Sequence, residues 1–64
     1  MTDLQVENHG SIFLLRPVSD AGTDWINDHI DTENAQWFGI SVVIEHRYIQ
    51  DIVDGAIHDG LHVN

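Results

Sequence analysis

Two short, continuous apolar runs decide what this chain can fold into: "IFLL", Ile12 to Leu15, and "WFGISVVI", Trp37 to Ile44. Both have strand length and carry the branched and aromatic side chains that suit a pleated, buried surface. The first run is closed by Pro17. The second reads as a central strand, and Gly39 within it predicts a bulge or a close backbone approach. Upstream, "LQVE" predicts a short strand with Leu4 and Val6 on one side, and "ENHG" supplies turn chemistry with Gly10 free to take positive φ. The first two strands are therefore expected to pair as a hairpin.

Helical periodicity occupies the remaining segments. Ser19 is a good N-cap, Asp20 suits the positive end of the helix dipole, and Val18 stands where a hydrophobic staple would begin. Trp25, Ile26 and Ile30 keep helical spacing with Val18 and Gly22, which places a first helix at about residues 20–30. Gly22 should weaken it by about 1 kcal/mol relative to Ala. "DTENAQ" follows as a loop. In "EHRYIQDIVDGAIHDG", residues Ile49, Ile52, Val53, Ala56 and Ile57 fall at i, i+3, i+4, i+7 and i+8, the stripe of a core-facing helix. Gly60 is placed to cap its C-terminus, and "LHV" predicts a closing strand.

The expected architecture is a single (β)βαβαβ domain over residues 1–64, of α/β class with α+β as the alternative. Two helices pack on one face of a three- or four-stranded sheet. Short joints favour a right-handed parallel crossover for the second strand–helix–strand unit. The helices are expected to hide Ile12, Leu14, Val42 and Ile44, or their alternates. The opposite face, with Phe13 and Leu15, is then thinly covered and is the natural dimer surface.

Composition narrows function by exclusion. Sixty-four residues hold one modest core, and with no cysteine neither disulfides nor a thiolate metal site can reinforce it, so homodimerisation is the reinforcement left open. The N-terminus has neither the basic nor the apolar character of a signal peptide, and no segment approaches the roughly 18 apolar residues of a membrane span. A cytoplasmic protein is expected. Eleven Asp and Glu face two Arg and no Lys, for a formal charge of −9. Such a surface repels nucleic acid and anionic membranes and attracts basic protein surfaces. With 42% apolar residues the chain can nevertheless bury a core, so it is expected to fold.

Catalytic chemistry finds little support. Ser11, Ser19 and Ser41 lie in no nucleophile elbow, and there is no phosphate-cradling glycine loop. Eleven carboxylates guarantee close pairs, so such pairs say nothing about acid–base chemistry without a pocket to separate their pKa values. His58 and His62 are four apart, as in some zinc sites, but Gly60 should end the helix between them. Asp59 beside them would favour a proton as readily as a metal. Arg16 and Arg47 stand alone, which argues against direct nucleic-acid binding, and Arg47 is expected to pair with Glu45, Asp51 or an acidic loop residue. No enzyme, metal or cofactor is expected. Of Trp37 and Phe38, one is expected in the core and the other exposed.

What remains is "SDAGTDWINDHIDTE". Asp20, Asp24, Asp28 and Asp31 are spaced by four, four and three, without a cation among them. On a helix they would form one gently winding face with axial steps of about 6 Å, near the spacing of successive phosphates on a nucleic-acid strand. Glu33 extends the row into the loop, and Asp51 with Asp54 makes a second acidic step. The row is either a partner-binding surface or a solvated face kept polar for solubility, and the second reading must bear a like-charge cost of about 0.2–0.5 kcal/mol per i, i+4 pair.

Size, charge and layout together make the chain similar to small acidic proteins of phages and plasmids, some of them anti-CRISPR or anti-restriction DNA mimics. The segment "AQWFGISVVIEHRYIQDIV" also looks like small proteins of mobile elements, a family that implies no activity. The first resemblance implies an inhibitor that occupies the DNA-binding groove of a Cas or restriction subunit. The alternative expectation is an antitoxin-like or regulatory module that binds through apolar surface, with Phe13, Leu15, Trp37 or Phe38 as anchors.

Overall fold

The first hairpin forms as its turn residues dictate. In the computed structural model, which describes Met1–Asn64, β1 (Leu4–Asn8) pairs antiparallel with β2 (Ile12–Pro17), Asn8 opposite Phe13 and Leu4 opposite Pro17. The Asn8 side chain accepts a hydrogen bond from the Gly10 N–H at 2.9 Å, and Gly10 takes a φ of +85°. Pro17 lacks an N–H but needs none, because the Leu4 N–H and C=O both point the other way. They bond His62 and Asn64, forming a parallel bridge between Leu4 and Val63.

The second apolar run does not form one strand. It folds into a tight hairpin of β3 (Trp37–Phe38) and β4 (Ser41–Glu45), with Phe38 opposite Ser41. Gly39 is neither a bulge nor a site of close approach. It is the first residue of a two-residue turn, with a φ of +62° and open space where a β-carbon would lie, while Ile40 keeps negative φ. That combination is the pattern of a type II′ turn. β4 then pairs antiparallel with β2, giving the sheet order β1-β2-β4-β3.

Helix α1 (Asp20–His29) begins at Ser19, whose side-chain oxygen accepts from the Gly22 N–H at 3.1 Å. No hydrophobic staple forms, because Val18 is exposed. Asp3 fixes the entry instead, accepting from the Ser19 hydroxyl at 2.6 Å while its carbonyl takes the Val18 N–H. Gly22 is required rather than merely tolerated: a β-carbon there would lie 2.1 Å from the Asp3 carbonyl oxygen. Helix α2 (His46–His58) follows β4 directly and ends as expected at Gly60, whose φ is +92°. The Leu61 N–H reaches the Ala56 carbonyl and the Gly60 N–H reaches that of Ile57, the paired bonds of a Schellman motif.

The result is an α+β fold, a four-stranded antiparallel sheet with two helices on one face. The expected closing strand is reduced to a single bridge, Val63 with Leu4, which runs parallel to β1 and hence to β4 across two intervening strands. The core joins Leu4, Leu15, Val42 and Ile44 of the sheet to Trp25 and Ile26 of α1 and to Ile49 and Ala56 of α2. One face assignment is reversed. Register places Phe13 opposite Ile44 and Leu15 opposite Val42, so Phe13 and Leu15 lie under the helices and cannot form a free surface. Ile12, Leu14 and Val43 occupy the open face. A local run of apolar residues in β2 could not reveal which alternate set faces inward.

Candidate functional site

The acidic row is built by α1 and interrupted at its end. Trp25 and Ile26 point into the core, and this turns Asp20, Asp24 and Asp28 outward on consecutive turns, all exposed. Asp20 sits in the first turn, where its charge is favourable; Asp28 sits in the last, where it opposes the helix dipole.

Asp31 departs from the expected stripe. Ile30 leaves the helix in an extended conformation, so Asp31 and Glu33 belong to the following turn rather than to the helical face. The Asn34 amide donates to the Asp31 carboxylate at 2.8 Å. That bond, with the backbone N–H groups of Asn34 and Glu33, holds Asp31 below the usual carboxylate range. On α2, Asp51 and Asp54 are both exposed, and Asp54 accepts from the Gln50 amide at 2.9 Å.

Few of these charges are neutralised. Arg47 donates through Nε to Glu45 at 3.0 Å, as expected from its position, and lies over the Tyr48 ring. Beyond that pair only Glu7 and Asp59 meet a basic side chain, His9 and His29 respectively, each at 3.4 Å. Asp20, Asp24, Asp28, Asp31, Glu33, Asp51 and Asp54 have none.

Two carboxylates with structural duties were not apparent in the sequence. Asp3 joins three distant pieces: besides Ser19 it accepts from the His62 N–H at 2.9 Å, and these bonds, the His62 one foremost, hold its pKa below the ordinary value. Asp59 is not a partner for His58 or His62 but a link between the helices. It accepts from Trp25 Nε1 at 2.8 Å, beside the His29 ring that stacks on Trp25 with centroids 4.3 Å apart. Both links span more than thirty residues, so nothing in the local pattern marks them.

The aromatic pair resolves differently from the expectation. Neither Trp37 nor Phe38 enters the core: Trp37 lies on the helix side of the sheet with Nε1 3.3 Å from the Thr32 carbonyl, and Phe38 is 70% exposed on the open side. The one hollow, about 300 Å³, lies between α2 and the first hairpin and is lined by Val6, Phe13, Ile49, Val53 and Val63 with Gln50 and Asn64. It contains no titratable side chain. No helix is long and apolar enough to cross a membrane. Comparison with protein-family models, curated proteins and solved structures finds no match.

Proposed function

We propose that the protein is a non-enzymatic inhibitor whose acidic helix layer binds a basic nucleic-acid-binding groove of a host defence protein, taking the place of the nucleic acid. One observation carries this reading: Asp20, Asp24 and Asp28 project on successive turns of α1, exposed and without a basic partner. Their mutual repulsion and the position of Asp28 at the negative end of the helix disfavour the free protein. A basic groove relieves both. Asp51, Asp54, Asp31 and Glu33 extend the charge to either side, and a Cas subunit is the kind of partner the size and charge suggest.

A second reading, an antitoxin-like or regulatory module that binds through apolar surface, draws support from the exposed hairpin tip, Phe38 and Ile40. The two separate in a capture experiment from host lysate using the tagged protein. Under the acidic reading, the retained protein binds nucleic acid, is displaced by added duplex DNA and elutes with salt. Changing Asp20, Asp24 and Asp28 together to asparagine abolishes its capture. Retention that ignores both DNA and these substitutions rejects the acidic reading in favour of the apolar one.

A further inference from the structure

We infer that the open face of the sheet is a self-association surface that seats a second copy of this chain. Strand alternation puts Ile12, Leu14 and Arg16 of β2, Val43 and Glu45 of β4, Glu7 of β1 and Phe38 of β3 on this side. Leu14 is only 6% exposed although it lies outside the helix-side core, so an apolar centre already exists around it. Phe38, 70% exposed, stands at the edge of that centre, and Ile40, 59% exposed, follows it in the turn.

Charge selects the occupant. One arginine, Arg16 of β2, lies on this face, and the other, Arg47 from the first turn of α2, bonds Glu45 at its edge. With Glu7 and Glu45 they leave the open face neutral, while the rest of the surface carries the whole charge of −9. It is therefore the side on which two such acidic chains can meet without opposing net negative charge. A two-fold face-to-face pairing turns both helix layers outward. Stacked sheets sit about 10 Å apart, so two sheets and two helix layers separate the aspartate rows by more than the screening length of about 8 Å at physiological salt. A standard interface takes about 800 Å² from each partner, so most of this face must be engaged out of a total surface of 4312 Å². The need is also evident: only 11 of 64 residues are buried, a small core for an unreinforced domain.

Sedimentation equilibrium of the purified chain from about 5 to 500 µM in physiological salt tests this. The expected mass rises with concentration toward twice the 7.2 kDa of the monomer. Phe38→Asp and Arg16→Glu, both at exposed positions, should each weaken association at least tenfold with the far-ultraviolet circular dichroism unchanged. The asparagine variant at Asp20, Asp24 and Asp28 should associate as the wild type does, which keeps this outcome separate from the inhibitor proposal. A monomer mass up to 500 µM overturns the inference, and so does a dimer that survives both substitutions. A chain that stays monomeric alone while a foreign protein covers Phe38 overturns it as well.

Discussion

Leu14 and Leu15 are chain neighbours with opposite surroundings. Leu15 is fully buried beneath the helices, touching the cluster that holds α1 and α2 to the sheet. Leu14 faces the other way, between Glu7 and Val43, on a side no element covers. The same division separates the charges: the helix layer carries the unpartnered aspartates, while the open face holds Arg16 and a Glu45 neutralised by Arg47. One sheet thus divides a neutral surface from an acidic one, and the cluster that joins sheet to helices lies on the acidic side.

The largest test of that asymmetry is truncation. Leu15→Ala should cost about 2–5 kcal/mol, the range for deleting a buried leucine from a packed core and a large part of the stability of a domain this small. Leu14→Ala should cost less than half as much in the dilute monomer, because no helix packs over Leu14 and the exposed side chains around it can close over the smaller residue. Thermal melts followed by circular dichroism compare the two directly; equal losses would mean that both faces contribute alike.

Next in size is Gly22→Ala. Local propensity favours alanine in a helix by about 1 kcal/mol, yet the close approach of the Asp3 carbonyl should reverse the sign and cost about 1–3 kcal/mol. A stabilised variant in the same melts would show that β1 and α1 can separate freely.

Asp3→Asn should act through pH. The folded state holds the Asp3 pKa below its ordinary value of 3.8, so its contribution is fully present above about pH 4 and fades as pH falls through the folded value. The variant should melt below the wild type at pH 7, and the gap should narrow as pH falls below 3.8. A gap independent of pH would place the role of Asp3 in packing rather than in its charge. The smallest effect belongs to the outer face: Asp24→Asn removes two like-charge contacts and should raise stability by roughly 0.5 kcal/mol at low salt, less at high salt. A loss of stability would show that Asp24 has a partner within the fold.

Much of this architecture was legible because local chemistry agreed with the fold. Ser19, Gly10 and Gly60 marked ends and turns where each residue type has a specific conformational use, and the stripe from Ile49 to Ile57 fixed α2. What stayed hidden depended on contacts distant in sequence. Gly39 reads as a defect in a strand until a hairpin divides the run, and β2 is apolar on both sides, so its inward face is set by register with β4. Gly22, Asp3 and Asp59 owe their roles to backbone and side chains more than fifteen residues away. In the acidic row, three of the four aspartates follow from the period of a helix. The fourth depended on where that helix stops, and boundaries are poorly determined by pattern alone.

The central claim is that the aspartates of α1 are held outward to meet a basic groove. Its most direct measurement is the dissociation constant for the captured partner, by calorimetry, at about 50 and 300 mM salt for the wild type and for the variant with Asp20, Asp24 and Asp28 changed to asparagine. The account predicts at least tenfold weaker wild-type binding at the higher salt, and a variant at least tenfold weaker at low salt with little further dependence on salt. Equal affinities for the two proteins, or a wild-type affinity indifferent to salt, would contradict it.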